Sequence, residues 1–143
     1  IGEIGVRSRF PIAPLTVELL AARRTALIGE AAHVLAPIGA QGLNLGFRDA
    51  AALADCVATA LTDYSDPGGD AVLRAYQTAR RLDVATRSLG IDFLSRSLLT
   101  DFLPLQAARG LVSHGLNALP ALRKLVMRIG MTPPTELPSL MRR

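Results

Sequence analysis

The chain has 143 residues, of which 50% are hydrophobic and 4% aromatic, and its formal net charge is +4. This length and composition exclude an intrinsically disordered protein, because such a chain can bury a sizeable apolar core. A single cysteine, Cys56, excludes an internal disulfide and fits a reducing compartment. Leucine and alanine dominate the apolar residues, which favours packed helices over a β-sandwich.

Strand signals are concentrated at the start of the chain. Loose alternation of apolar and charged residues predicts a strand over residues 4–12, and residues 15–20 form a second short strand or a turn. Arg23 and Arg24 are predicted to form a polar turn. Residues 25–29 then predict a short apolar strand that ends at a glycine.

Helical periodicity begins at about Asn44 and continues to Leu61. Residues 63–70 have the composition of a loop, and Asp70 is a suitable N-cap for a second helix that runs to about residue 103. Gly90 marks a possible bend or break in that helix. Two apolar stripes run along it, at positions 82, 85, 89 and 93 and at positions 91, 94, 98 and 102.

The last part of the chain is also predicted to be helical. One or two further helices are expected within residues 105–130, with an interruption near Pro120. The tail from Met131 contains three prolines and is predicted to be extended.

The excess positive charge lies in residues 102–143. This segment holds five arginines, Lys124 and one acid, Glu136, which gives a net charge of +5. A basic and apolar segment of this kind can attach to an anionic membrane surface, or it can dock on an acidic partner or on another domain. The absence of a lysine cluster and the scarcity of aromatic residues argue against a nucleic-acid partner.

The most informative segment spans residues 29–55. It combines the end of a strand, the acidic Glu30, a loop with Pro37 and several glycines, and the start of a helix. Free backbone N–H groups and the positive end of the helix dipole meet at such a place, which favours an anion or an electronegative ring. On spacing alone, a plain structural connection is an equal alternative.

This segment resembles the second FAD motif of class A flavoprotein monooxygenases, G-D-A-A-H followed by P-x-x-G-Q-G-x-N-x-G-x-x-D-A-x-x-L. The matching residues are Gly29, Ala31, Ala32, His33, Pro37, Gln41, Gly42, Asn44, Gly46, Asp49, Ala50 and Leu53. Residues 9–12, Tyr76, Arg80 and Arg81 extend the resemblance, which covers roughly residues 5–100. It looks closest to the branch that hydroxylates the ring of ubiquinone precursors.

Two departures from the motif affect the contacts expected with the flavin. Glu30 stands where the family has an aspartate, so the carboxylate reaches one methylene further. Ala40 stands where the family has the glycine before Gln41, and Gly39 is displaced by one position.

The resemblance implies an α/β parent fold, the three-layer ββα FAD-binding fold with a substrate sheet. This chain is then a mostly helical piece with a few N-terminal strands. Residues 1–24 are expected to be the end of the substrate-binding sheet, residues 25–62 the second FAD motif with its helix, and residues 63–143 a C-terminal helical region with a proline-rich tail.

The resemblance also implies FAD as cofactor, NAD(P)H and O2 as co-substrates, and an aromatic small-molecule substrate that can carry a polyprenyl chain. Glu30 is expected at the ribityl hydroxyls, Pro37 near the reactive edge of the isoalloxazine, and the backbone from Gln41 to Asn44 at the pyrimidine side. No catalytic acid, base or nucleophile is assigned, and no metal site is expected. The residues expected to bind the cofactor are Gly29, Glu30, Pro37, Gly39, Ala40, Gln41, Gly42, Leu43 and Asn44.

The histidines and the cysteine are predicted to be structural. His33 is expected to pack within the loop and not to relay protons. His114, a lone histidine in an apolar helix, and Cys56, on the apolar side of its helix, are expected to be inert.

The charged residues around the motif have a similar interpretation. Arg48 and Asp49 are predicted to be a surface pair or an N-terminal cap and not flavin contacts. Arg80 and Arg81 are predicted to be solvated or structural.

The glycine-rich G-x-G-x-x-G sequence that holds the FAD pyrophosphate in such folds does not occur in this chain, which begins Ile1-Gly2-Glu3. We therefore expect the C-terminal portion of a longer enzyme, inactive alone, whose partner is an N-terminal FAD domain. It is expected in the cytoplasm, or at the inner face of a membrane if residues 102–143 attach there. The alternatives are another flavin enzyme with the same motif, such as a halogenase or a geranylgeranyl reductase, and a helical module that binds a membrane surface or a partner.

Overall fold

A computed structural model describes residues 5, 7–8, 13–37, 41–99, 103–131 and 137–142. The chain is mostly helical with a few short strands near its start, as the sequence predicted. In chain order the elements are β1 (Leu15–Thr16), β2 (Ala21–Ala22), β3 (Thr25–Ala26), a first 3₁₀ turn (Gly29–Ala31), β4 (His33–Val34), α1 (Gln41–Thr62), α2 (Asp70–Leu99), α3 (Leu103–Ala118), α4 (Pro120–Met131) and a C-terminal 3₁₀ turn (Ser139–Met141).

The strands form two antiparallel pairs, β1 with β4 and β2 with β3. The turn between β2 and β3 is the predicted polar turn, and both Arg23 (φ 48°) and Arg24 (φ 63°) adopt left-handed backbone conformations there. The strand predicted over residues 25–29 is shorter than expected, because only Thr25 and Ala26 pair with β2. Most of the strand predicted over residues 4–12 lies outside the described residues.

Arg24 ties the β2–β3 hairpin to the loop before α2. Its Nη1 and Nη2 donate to the two carboxylate oxygens of Asp66 at 2.5 and 3.0 Å. The N–H of Gly68 donates to the same carboxylate at 2.9 Å, and a Cβ atom on Gly68 would lie 2.8 Å from the Arg24 guanidinium. The guanidinium and this N–H hold the pKa of Asp66 below its ordinary value.

Helix α1 begins at Gln41, three residues earlier than the sequence predicted. Its buried apolar residues include Leu45, Ala52 and Ala60, which face α2 and the strands. Leu61 was expected on this face but is 60% exposed. It lies about 100° around the helix from Ala60, and the chain leaves the helix one residue later.

Helix α2 begins at Asp70, so this residue is in the first turn and is not the predicted N-cap. The N–H of Leu73 donates to the carbonyl of Gly69 at 3.1 Å, which gives Gly69 the capping position. The helix continues through Gly90 without a break and ends at Leu99, four residues before the predicted end.

The apolar stripes predicted along α2 do not form its buried face. Leu82, Leu89 and Phe93 are 52%, 72% and 71% exposed. In the second stripe Ile91 is buried, whereas Leu94 and Leu98 are exposed. The face that packs on α1 and the strands instead contains Val72, Leu73, Tyr76, Arg80, Asp83 and Val84. The buried face of α2 therefore contains charged side chains, which a hydrophobic pattern would place in solvent.

The core lies between α1, α2 and the loops around the strands. Its buried apolar residues are Leu20, Ala32, Leu45, Ala52, Tyr76 and Val84. The hydroxyl of Tyr76 donates to the carbonyl of Leu27 at 2.8 Å, and this bond satisfies the polar end of a fully buried ring. Burial, with a further contribution from the charge of Asp49, raises the pKa of Tyr76 above its ordinary value.

Helices α3 and α4 pack against each other and are separated at Leu119, so the predicted interruption near Pro120 is confirmed. The tail is not extended throughout, because Ser139–Met141 forms a 3₁₀ turn. The backbone N–H of Ser139 donates to Asp55 Oδ2 at 2.7 Å and its hydroxyl donates to Oδ1, which holds the turn against α1. None of the helices in the described ranges is long and apolar enough to cross a membrane.

Candidate functional site

The motif residues of the first 3₁₀ turn lie at the surface beside α1. Gly29 has φ +58°, a conformation that favours glycine, and the next side chain, that of Glu30, is exposed. Pro37 is an exposed bend. Gly39 and Ala40 lie outside the described residues, so their predicted contacts stay predictions.

A close approach between two glycines sets α1 against this turn. A Cβ atom on Gly46 would lie 3.3 Å from the Cα of Gly29, which is tighter than an ordinary van der Waals contact. The absence of a side chain at Gly46 therefore lets the helix pack directly on the backbone of the 3₁₀ turn. This crossing brings the start of α1 to the same side of the molecule as Glu30.

The first turn of α1 has the features of a site for an electronegative group. It contains no acidic residue, so no carboxylate in that turn neutralises the positive end of the helix dipole. Gln41 and Gly42 are half-buried, whereas Leu43 and Asn44 are exposed. Among the described residues, a Cβ atom on Gly42 would meet nothing within 4 Å, so they leave the backbone open to a flat ligand there.

A buried ionic cluster lies directly beneath the 3₁₀ turn and α1. Asp49 Oδ2 accepts hydrogen bonds from the backbone N–H of Gly29 at 3.0 Å and from His33 Nε2 at 2.7 Å. Its Oδ1 accepts from Arg80 Nε at 2.7 Å. Burial alone would raise the pKa of Asp49, but these three donors outweigh it and hold the pKa below the ordinary value.

The contacts of His33 indicate its tautomer. A carboxylate can only accept, so Nε2 carries the proton that is shared with Asp49. Nδ1 is buried and has no hydrogen-bond partner in the described part of the chain. His33 is thus a buried residue that orients Asp49, in agreement with the predicted packing role.

The cluster continues along α2 to a second carboxylate, Asp83. Arg80 Nη1 donates to its Oδ2 at 2.9 Å, Arg48 Nη1 lies 3.4 Å from both oxygens, and Arg87 Nε lies 3.5 Å from Oδ1. Arg87 also donates from Nη1 to Gln41 Oε1 at 3.1 Å. The cluster therefore extends from Gly29 to the first turn of α1.

One sequence prediction is wrong at this cluster. Arg48 and Asp49 are 7% and 0% exposed, so they are neither a surface pair nor a cap. Each pairs with residues of α2 instead of with its neighbour, and burial lowers the pKa of Arg48 despite the opposing charge of Asp83. Arg80 is buried and structural, whereas Arg81 is exposed.

The sequence reasoning missed Asp83 and Arg87. A usable signal was present, because Tyr76, Arg80, Asp83 and Arg87 recur at helical spacing and fall on one face of α2. In the sequence, alternating charges at this spacing are typical of a solvated helix face. In the structure, Arg80 contacts Asp49 and Arg87 contacts Gln41, so this face of α2 packs against α1.

The remaining candidates lie away from this cluster. Cys56 is half-buried, and burial together with Asp55 raises the pKa of its thiol, which keeps it protonated and fits the predicted inert role. His114 is exposed on α3, so it is not the packed structural histidine that was expected. Within the described ranges, no three or more His, Cys, Asp or Glu side chains are grouped so that they could hold a metal ion.

Comparison with known families agrees with this geometry. The model of a family described as "FAD binding domain" matches residues 2–89. The chain belongs to the FAD binding domain family. This membership confirms the relationship to FAD-dependent monooxygenases, and it makes FAD the cofactor that the loop and the first turn of α1 have to fit.

Curated relatives of this chain include a ubiquinone hydroxylase and a ubiquinone biosynthesis monooxygenase. "Ubiquinone hydroxylase UbiL" of Rhodospirillum rubrum is 37% identical over 108 residues, which cover 76% of this chain and 25% of the relative. Human "Ubiquinone biosynthesis monooxygenase COQ6, mitochondrial" is 35% identical over 73% of this chain and 22% of the relative. "Uncharacterized protein slr1300" of Synechocystis is 37% identical over 88% of this chain and 30% of the relative.

The matches cover only a part of each relative. The chain spans between about a fifth and a third of the length of the curated relatives it matches. No solved structure matches this chain.

Proposed function

We propose that this chain supplies the isoalloxazine-facing part of an FAD-dependent monooxygenase that hydroxylates the aromatic ring of a ubiquinone precursor. NAD(P)H and O2 are its co-substrates. One observation carries the proposal: the first turn of α1, which holds motif residues Gln41, Gly42 and Asn44, has no acidic residue, and no described atom lies within 4 Å of a Cβ placed on Gly42. The similarity to the ubiquinone hydroxylase of Rhodospirillum rubrum and to the human ubiquinone biosynthesis monooxygenase supports the ring-hydroxylase class.

The residues present fit FAD. The exposed carboxylate of Glu30 can accept hydrogen bonds from ribityl hydroxyls, and the missing Cβ at Gly42 lets a planar ring approach the backbone. Backbone N–H groups and the dipole of α1 favour negative charge at the pyrimidine side of the ring. Exposed Pro37 would lie near the reactive edge of the ring. Bound FAD supplies the redox chemistry, and these residues bind and orient it.

Each of the three segments has its own structural role in the proposed enzyme. Residues 1–24 form the end of a substrate-binding sheet, residues 25–62 carry the flavin loop with α1, and residues 63–143 support that unit and extend from it. The ADP half of FAD is held by a separate N-terminal FAD domain of a three-layer ββα fold, because the chain has no glycine-rich pyrophosphate sequence.

Flavin titration tests this proposal. We expect the holoenzyme that contains this chain to retain FAD at one equivalent and to form a hydroxylated phenol with consumption of NAD(P)H and O2. The 143-residue chain alone is expected to bind FAD weakly, because it lacks the ADP site. A holoenzyme that takes up no FAD contradicts the proposal. Chloride-dependent halogenation, or reduction of a prenyl chain without O2 uptake, would favour one of the other flavin enzymes.

We further propose that residues 102–143 attach the enzyme to the inner, cytoplasmic face of an anionic membrane, where a polyprenylated substrate resides. Leu111, Val112, Leu125 and Met127 are between 48% and 74% exposed on α3 and α4. The segment carries a net charge of +5, and all of it lies beyond the residues matched by the family model. Exposed apolar side chains beside basic residues are the combination that binds anionic lipid surfaces.

Vesicle co-sedimentation tests the membrane contact. The holoenzyme is expected to sediment with vesicles that contain phosphatidylglycerol, less with pure phosphatidylcholine, and less at high salt. Replacing Arg123, Lys124 and Arg128 with glutamine should abolish sedimentation and leave flavin content unchanged. Equal sedimentation of the variant and the parent would contradict the proposal and favour packing of this segment on the rest of the enzyme.

A further inference from the structure

Arg87 connects two helices at the edge of the proposed flavin site. It lies on α2, outside the FAD motif, and its side chain is 10% exposed. Its Nε lies 3.5 Å from Asp83 Oδ1, and its Nη1 donates to Gln41 Oε1 at 3.1 Å. The guanidinium therefore links the buried carboxylate of α2 to the first residue of α1.

The first turn of α1 needs such a support from outside. Gly42 is the second residue of the helix, and glycine favours the helical conformation less than alanine does. Leu43 and Asn44 are exposed, so among the described residues little apolar packing holds this turn in place. A helix end of this kind frays readily, yet its backbone N–H groups must keep a fixed direction to bind a ring.

The same cluster holds the opposite side of the proposed site. From Asp83, Arg80 continues the chain of contacts to Asp49, at 2.9 and 2.7 Å. Asp49 accepts the backbone N–H of Gly29, the residue that precedes Glu30. The ribityl side is thus tied to α2 by the buried ion pair between Asp49 and Arg80, and the pyrimidine side by the hydrogen bond from Arg87 to Gln41.

We propose that Arg87 is a positioning residue for FAD, which fixes the first turn of α1 through Gln41 and ties it, through Asp83, Arg80 and Asp49, to the turn at Gly29. This inference rests on the proposed function for the identity of the ligand. Arg87 acts through the backbone of α1 and has no direct contact with the cofactor. The side chain of Gln41 accepts the hydrogen bond from Arg87, and the backbone of Gln41 contacts the flavin.

The test compares Arg87→Ala with Arg96→Ala in the holoenzyme. Arg96 lies on the same helix and pairs with Asp92 at the same i,i+4 spacing, but 79% of its side chain is exposed. Arg87→Ala is expected to raise the FAD dissociation constant about tenfold, the effect of losing one hydrogen bond to a charged group. Arg96→Ala is expected to leave it unchanged, and circular dichroism should show both variants folded at the temperature of the titration.

Two further variants separate positioning from general stability. Gln41→Ala removes the contact but leaves the partners of Asp83 in place, and alanine has the higher helix propensity. We expect it to weaken FAD binding about as much as Arg87→Ala, with no additional loss in the double variant. Arg87→Lys offers a single ammonium group in place of the guanidinium fork and should recover only part of the affinity.

Hydrogen exchange gives a readout that does not depend on flavin. The amides of residues 45–48 donate to the carbonyls of the first turn, so they should exchange faster in Arg87→Ala than in Arg96→Ala. Unchanged FAD affinity and unchanged exchange in both Arg87→Ala and Gln41→Ala would overturn the inference. A parent enzyme that binds no FAD would instead overturn the proposed function, and the exchange rates would still decide whether Arg87 holds the turn.

Discussion

Arg80 donates from Nε to Asp49 Oδ1 at 2.7 Å, and the two residues are only 2% and 0% exposed. This ion pair joins α2 to α1 over 31 residues of sequence. It is also the centre of the cluster that holds both sides of the proposed flavin site. A buried pair of this kind costs much less than either charge buried alone, so its two members depend on each other.

Asp49→Asn should destabilise the chain strongly. The amide keeps the shape of the carboxylate but removes the charge that faces Arg80 Nε, so the buried guanidinium keeps Asp83 as its charged partner, and the expected loss is about 3 kcal/mol of unfolding free energy. Urea denaturation at neutral pH measures it. The matched control is Asp92→Asn, which removes the exposed pair with Arg96 and should cost about 1 kcal/mol or less. Equal effects of the two variants would show that burial of the cluster contributes nothing.

The stabilisation that Asp49 provides should depend on pH. Its pKa is lower in the folded chain than in the unfolded chain, so folding is favoured while the carboxylate is ionised. The contribution is complete above the ordinary aspartate pKa of about 4, and it is lost as pH falls through that value towards the lower folded pKa. The difference in unfolding free energy between the parent and Asp49→Asn should be constant from neutral pH to mildly acidic pH and shrink below it. A difference that grows on acidification would contradict the assigned direction.

Three glycine-to-alanine variants should give three different results. Gly46→Ala places a Cβ atom 3.3 Å from the Cα of Gly29 and should destabilise the chain by pushing α1 from the 3₁₀ turn. Gly42→Ala meets open space, so it should leave stability unchanged or improved but weaken FAD binding by filling the surface offered to the ring. Gly90→Ala, also in open space on α2, should stabilise by about 0.5–1 kcal/mol without effect on FAD. Thermal denaturation and flavin titration together separate the three outcomes.

Glu30→Ala should lower FAD affinity without lowering stability. The side chain is exposed, so its removal is expected to change the unfolding free energy by about 0.5 kcal/mol or less. Glu18→Ala serves as control, because it removes another exposed carboxylate of the N-terminal region. If both variants bind FAD as the parent does in the holoenzyme, Glu30 does not hold the ribityl chain.

The sequence predicted the elements that depend on local signals. The polar turn at Arg23-Arg24, the existence of α1 and α2, and the interruption at Pro120 follow from composition, periodicity and the lack of an N–H in proline. These features need no knowledge of distant residues.

The parts that were not predicted depend on contacts between distant residues. Charged Arg80 and Asp83 lie in the buried face of α2 because Asp49 and Arg48 of α1 neutralise them, and no local pattern contains that pairing. Helix α1 begins earlier than periodicity indicates, and Gln41 at its start is held by Arg87 across 46 residues of sequence. Leu89 and Phe93 are apolar but exposed, because no described element packs against their side of α2.

The hydrogen bonds between Ser139 and Asp55 join positions 84 residues apart. On a ribosome, Asp55 has emerged long before Ser139 is synthesised, so this contact cannot contribute to the folding of α1 during most of translation. The cluster between α1 and α2 closes earlier, since its directly contacting residues are separated by at most 46 positions. The order of synthesis therefore lets the first turn of α1 assemble before the Ser139–Met141 turn docks on α1.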